Sequence, residues 1–424
     1  MKIFLSKYLL PITQDPIENA ALVIEKDSIV EVGAAASLLQ KYPKAKKIDL
    51  GEVVLLPGLV NAHCHLELSQ APLYDGKLHQ DASGESNFIR WLIFIAQYQE
   101  KLSAQQKKEA ISQGLEELKS SGTTCVGDLT SYEGAHACYE ESGLRVVSFA
   151  EVMNIHQKSA QDRFESAMAQ VDELMALDHP KIKAGLAPFA PYTLSKNLLK
   201  IFIQHLKQLQ IPVQIHSSES FAEMEFFYDS KGDIAHLLFP YIGWTEKLPP
   251  PHQKTPIQYL NSIDFLGLKP TLVGCLHLGP TDLGILSHSG SSVICCPQST
   301  KTLKNGNIPL GKLLKNKINL GLGSESLASN SSLSLWDELR VLWEESKRLP
   351  ESIPAATLLH IATLGGAKAL GLHKTIGSLE QEKYADFIAL KIPQGARIEN
   401  IEEQLIQQTK TESLLKVWVA GKEI

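Results

Sequence analysis

The chain has 424 residues, 44% of them hydrophobic and 21% charged, enough at roughly 150 residues per domain for two or three domains or for one large barrel with appendages. With 41 Lys and Arg against 47 Asp and Glu the formal charge is −6, which argues against a large basic nucleic-acid footprint. Six cysteines (Cys64, Cys125, Cys138, Cys275, Cys295 and Cys296) form no CxxC pair, so they read as reduced thiols of a cytoplasmic chain, and no apolar run reads as a signal peptide or membrane span.

Residues 20–33 predict two short strands around a Lys26-Asp27 turn, and residues 384–390 and 414–421 predict similar strands near the other end. A small β-sandwich built from both termini, spanning 1–57 and 373–424, follows from this pairing. Between them, eight apolar runs are each followed by a helix-length segment: Glu52–Leu56, Thr123–Leu129, Arg145–Glu151, Ile182–Phe189, Pro212–His216, Thr271–Leu278, Ser292–Cys296 and Ile318–Gly323. That alternation predicts an α/β protein whose residues 58–372 form a distorted (β/α)8 TIM barrel. A doubly wound sheet lacks its GxGxxG turn here. Residues 225–255 break the rhythm with Phe226, Phe227, Tyr228, Tyr241 and Trp244, and read either as a lid over the C-terminal mouth or as an insertion packing its own aromatics.

The strongest chemical signal is Pro57-Gly58-Leu59-Val60-Asn61-Ala62-His63-Cys64-His65. Residues i and i+2 of a strand share a face, so His63 and His65 aim two imidazoles at one point. A later strand ends Val213-Gln214-Ile215-His216 and continues Ser217-Ser218-Glu219, offering a third imidazole and a carboxylate at the end where barrels place their chemistry. His65-Leu66-Glu67 also matches the H-x-E of cytidine-type zinc deaminases, but Cys295-Cys296-Pro297 is not the P-C-x-x-C those enzymes require. Asp337-Glu338 and Lys107-Lys108 read as solvated helix charges.

Together with Cys296-Pro297-Gln298-Ser299, Ser326-Leu327-Ala328-Ser329-Asn330, Ala362-Thr363-Leu364-Gly365-Gly366-Ala367 and Gly377-Ser378-Leu379, these words resemble the amidohydrolase superfamily, in its branch of chlorohydrolases and adenosine-type deaminases. His63 to Ser69 and Phe88-Ile89-Arg90-Trp91 are most similar to the aminofutalosine deaminases of the alternative menaquinone route. The resemblance implies one divalent metal, zinc first and iron or manganese next, held by His63, His65, His216 and an acidic residue after the eighth strand, Glu325. It implies that a coordinated water attacks the carbon bearing the exocyclic amine while Glu219 relays its proton to the ring nitrogen. The bridging Lys of binuclear relatives has no counterpart, because Lys183 begins the fourth strand.

Three positions depart from the family. Glu325 stands where relatives have Asp, Gly274 where they have a catalytic His, and Phe189 where they have a substrate-facing His. His277 could replace the missing base if the sixth strand carries a bulge, or it is a loop His. Glu67 and Trp91 either touch substrate or serve as a helix cap and a core residue. The resemblance thus implies a metal-dependent aminohydrolase acting on a small molecule with an adenine-like ring, such as 6-amino-6-deoxyfutalosine, adenosine, methylthioadenosine or S-adenosylhomocysteine. It involves neither nucleic acid nor membrane and is compatible with a homodimer. The three departures favour the alternative, a degenerate relative that binds a ligand or partner without turnover.

Overall fold

The computed structural model describes residues 1–75, 88–153, 160–244 and 248–424. Eight parallel strands form the central sheet: Leu59–Cys64, Thr123–Thr130, Arg145–Val152, Ile182–Pro188, Gln214–Ser217, Thr271–Gly274, Ser292–Cys295 and Asn319–Leu322. They are numbered here first to eighth in chain order. The eighth pairs with the first, Leu322 opposite Asn61, and a bridge between Leu186 and Val213 joins the fourth to the fifth, closing the distorted TIM barrel that the alternation predicts. Val60 and Ala62 of the first strand, Val147 and Phe149 of the third, Val273 of the sixth and Ile294 of the seventh pack together in one buried cluster.

Strands from both ends build a second sheet in the order Lys422–Glu423, Leu414–Val419, Phe387–Lys391, Val53–Pro57, Lys2–Leu9, Ile17–Glu25, Ser28–Ala34, with Lys46–Asp49 also beside Lys2–Leu9. This corrects one expectation. The run Glu52–Leu56, read as the first barrel strand, instead lies antiparallel to Phe387–Lys391 in the terminal sheet, and the barrel begins at Leu59. Val53–Pro57 and Leu59–Cys64 are both fully buried, so burial does not separate them. The break is Pro57-Gly58, where a Cβ on Gly58 would lie 2.0 Å from Thr124 Oγ1 of the second strand, an approach only glycine allows.

The elements nearest the first strand's end are locally well specified. Helix Ala104–Ser120 starts with a capping box between Ser103 and Gln106 and buries Ala110, Ile111, Leu115 and Leu118 on one face. It lies directly against the short Leu66–Leu68 turn that follows His65. The excursion at 225–255 packs largely on itself, with Phe226 on Phe239 at 5.1 Å and Phe239 on Trp244 at 5.0 Å between ring centres. Its Ile234–Leu238 turn also contacts helix Phe88–Gln99. Its described residues thus fit the reading of an insertion that packs its own aromatics. No helix among the described residues is long and apolar enough to cross a membrane.

The two sheets are joined by a buried ion pair. Arg145, opening the third strand, donates from Nε to Asp386 Oδ2 at 2.5 Å, and its guanidinium lies 4.1 Å from the Tyr384 ring centre. The same carboxylate accepts the backbone N–H of Ala420 at 2.7 Å. Removing either partner strands the other charge in the interior. Asp386→Ala is therefore expected to lower unfolding stability by about 3–5 kcal/mol, measured by urea denaturation; a loss below about 1 kcal/mol, the range of surface pairs, would show that the pair does not join the sheets.

Candidate metal centre

Side chains from the first, fifth and eighth strands converge at the C-terminal end of the barrel. His63 is the penultimate residue of the first strand, His65 follows the strand, His216 lies in the fifth, and Glu325 comes three residues after the eighth. One ligand atom from each lies within 4.8 Å of all the others, and all four residues are buried. Glu325 Oε2 is 3.1 Å from His63 Nε2, and Glu325 Oε1 is 3.7 Å from His65 Nε2. Two ligands on a tetrahedral zinc ion lie roughly 3.3 Å apart, so these separations suit a shared cation.

The hydrogen-bonding state of these atoms agrees. His63 Nε2, His216 Nε2 and Glu325 Oε2 are buried with no hydrogen-bond partner, although native interiors satisfy nearly all such atoms. The opposite edge of the His63 ring is engaged: Nδ1 lies 2.5 Å from Gln214 Oε1, while Gln214 Nε2 donates to the Ala62 carbonyl at 3.0 Å. That second bond fixes the amide with its oxygen toward the imidazole, so Nδ1 carries the proton and Nε2 presents a lone pair. His216 Nδ1 is likewise 3.0 Å from Glu219 Oε2. The donor set of imidazoles and a carboxylate fits zinc and other divalent first-row ions.

Burial pushes His65 and His216 down to about 3, keeping both imidazoles neutral. Burial opposes ionisation of Glu325 as well, but the neighbouring imidazoles, His63 foremost, outweigh it and hold the carboxyl well below its usual range. Glu219 goes the other way, raised by burial and by the charge of Glu325. The two buried carboxyl groups are thus pushed in opposite directions, Glu325 down and Glu219 up.

The departures from the family pattern have structural accounts. Glu325 sits at φ +57° with its carbonyl accepting the His65 N–H at 2.7 Å, and from this left-handed position its longer side chain reaches the imidazoles. Gly274 sits at φ +91°, and a Cβ there would lie 2.8 Å from Glu219 Cβ and 2.9 Å from Cγ. The stem of Glu219 thus takes the space a side chain at 274 would need. Phe189 packs on His216 with ring centres 4.9 Å apart.

His277 does not compensate for Gly274. The sixth strand stops at Gly274, and the His277 ring is held elsewhere by Nε2 bonding the Asn305 carbonyl at 2.7 Å. Glu67 is fully buried and consumed by local bonds, accepting from Gln99 at 2.6 Å and Ser131 at 3.2 Å, with Lys107 Nζ at 3.7 Å. Trp91 is buried beside Phe88 in helix Phe88–Gln99. Lys183 is exposed near the start of the fourth strand, away from the metal cluster. A cavity of about 1000 Å3 lined by Lys183, Thr271, Ser292 and Lys368 opens at the barrel's N-terminal end, opposite the candidate centre. Nothing in it resembles the convergent donors of the C-terminal end.

Several site residues escaped the sequence reading. Gln214 is two residues before His216 on the same strand, the same i, i+2 spacing that singled out His63 and His65. Glu223 accepts the Glu219 backbone N–H at 3.0 Å and pins the turn that presents Glu219. Glu338, read as a solvated charge, is fully buried and accepts from Gln298 N at 2.9 Å and Asn330 Nδ2 at 2.5 Å, tying the segments after the seventh and eighth strands together. Its buried role is invisible in a helix whose first turn reads Leu-Trp-Asp-Glu.

The profile of the amidohydrolase family matches residues 54–424. A 5-methylthioadenosine/S-adenosylhomocysteine deaminase of Saccharophagus degradans is 28% identical over 98% of this chain and 90% of its own length. Among solved structures, the Helicobacter pylori aminofutalosine deaminase in complex with methylthio-coformycin has a TM-score of 0.84 at 24% identity and covers 100% of both chains. An adenosine deaminase from Xanthomonas campestris with bound zinc has a TM-score of 0.81 at 24% identity over 99% of this chain and 92% of that one. With most of its length matched by the family profile, the chain is a member of the amidohydrolase family, hydrolases that act on carbon–nitrogen bonds.

Proposed function

We propose that this protein is a zinc-dependent aminohydrolase that removes the exocyclic amine from the purine ring of a 5′-substituted adenine nucleoside. The observation that carries the reading is the convergence of three imidazoles and an ionised carboxylate on one buried point, with Glu219 alongside. A divalent ion bound there supplies Lewis acidity and lets water ionise near neutral pH. Iron and manganese suit the same donors and are the alternatives.

Glu219 is the proton carrier. Held by Glu223 at its backbone and by His216 at its carboxyl, and raised by burial, it holds a proton where it can deliver it to a ring nitrogen, drawing electrons from the carbon that loses ammonia. No second acid–base side chain stands at 274, so Glu219 performs both the uptake and the delivery. Phe189 gives the site an apolar face beside His216, suited to a flat heterocycle.

The relative named for methylthioadenosine and S-adenosylhomocysteine and the neighbour named for aminofutalosine share an adenine-like ring and differ at the 5′ substituent. The ring is therefore the part the site reads in common. Metal-loaded protein is expected to release ammonia from at least one of methylthioadenosine, S-adenosylhomocysteine, 6-amino-6-deoxyfutalosine and adenosine. Folded protein loaded with zinc, iron or manganese that releases none from all four contradicts the reading. Glu219→Gln is expected to lower kcat by about 10²- to 10⁴-fold with metal content unchanged. A kcat within twofold of wild type (about 0.4 kcal/mol of barrier) would remove Glu219 from the chemistry.

A further inference from the structure

Two of the three candidate metal-binding imidazoles have an outer partner in hydrogen-bond contact at Nδ1, Gln214 for His63 and Glu219 for His216. The third, His65, faces a residue to which neither the motifs nor the proposed chemistry gives a role. Glu151, the penultimate residue of the third strand, places Oε1 3.7 Å from His65 Nδ1, and its side chain is 5% exposed. Both His65 Nδ1 and Glu151 Oε1 are buried without a hydrogen-bond partner. Glu67, two residues further along the chain from His65, is already occupied by Gln99, Thr130 and Ser131. Among the described residues, His65 is the ion-pair partner of Glu151.

From this geometry we infer that Glu151 is a positioning residue for the metal centre: it accepts the Nδ1 proton of His65 and turns Nε2 toward Glu325. Metal-ligating histidines almost always give their second ring nitrogen to such an acceptor, which fixes tautomer and ring angle. The 3.7 Å separation needs to shorten by less than 1 Å to become a hydrogen bond. His65 would then match its two neighbours, with Gln214 and Glu219 bracing from the fifth strand and the turn after it and Glu151 from the third strand. Glu151 touches neither substrate nor the reacting atoms in this account. It acts through His65.

The inference rests on the metal centre of the proposed function, but its test needs no substrate. Zinc affinity is measured by competition with a chromophoric chelator for wild type, Glu151→Ala and the near-isosteric Glu151→Gln, and the visible spectrum is recorded after loading with cobalt(II). Glu151→Ala is expected to bind zinc about 10- to 100-fold more weakly and to shift the cobalt spectrum, while Glu151→Gln, which keeps an acceptor oxygen, stays nearer to wild type in both. Unchanged affinity and spectrum in Glu151→Ala overturn the positioning role and leave the metal centre standing. Equal losses in both variants, accompanied by a lower Tm of the metal-free protein, assign Glu151 to packing and also overturn it. Wild type that binds no zinc overturns the metal centre itself, and this inference with it.

Discussion

The site depends on a buried carboxylate. Glu325 lies among three buried imidazoles, and its Oε2 has no hydrogen-bond partner. A carboxylate in such a place costs several kcal/mol unless a positive charge answers it, and the Nδ1 proton of His63 is directed at Gln214, away from the carboxylate. A divalent ion satisfies the carboxylate and the lone pairs together. The arrangement of the surrounding residues follows from keeping those four ligands pointed at one spot.

The backbone bears part of that work. Ser218, Gly274, Cys275 and Glu325, all at or just beyond strand ends around the centre, occupy the left-handed region. For the three non-glycine residues such conformations cost of order 1–3 kcal/mol each and persist where the surroundings over-determine them. The surroundings do so here: Cys275 N–H bonds the Ser217 carbonyl at 2.9 Å, Leu276 N–H bonds that of Ser218 at 2.9 Å, and the Glu325 carbonyl takes the His65 N–H. Glu338 and Asn330 then lock the segments after the last two strands. The barrel fold brings the strand ends together, and these cross-links hold the segments that carry the candidate ligands.

Much of this was legible in the sequence. Strand-end spacing pointed to His63, His65 and His216, and the alternation of strands and helices gave the barrel. The motif register put Glu325 in the set, and the structure brings its carboxylate to the imidazoles. Other features depend on three-dimensional packing that periodicity does not encode. Val53–Pro57 and Leu59–Cys64 are both fully buried and separated by one residue, and their pairing partners are what distinguish a terminal strand from a barrel strand. Gly274 reads only as a missing side chain, and the sequence does not show that its positive φ and the nearby stem of Glu219 leave no room for one. Glu151 and Glu338 are carboxyls whose burial comes from neighbours far away in the chain, and nothing local marks them as different from solvated ones.

The most direct test of the central claim is metal stoichiometry by elemental analysis, comparing wild type with Glu325→Ala and His216→Ala after dialysis against a trace of zinc. The account predicts about one ion per chain in wild type and near none in either variant, because each removes a ligand from a four-ligand set. Wild type with no ion, or variants that keep a full ion, would contradict it.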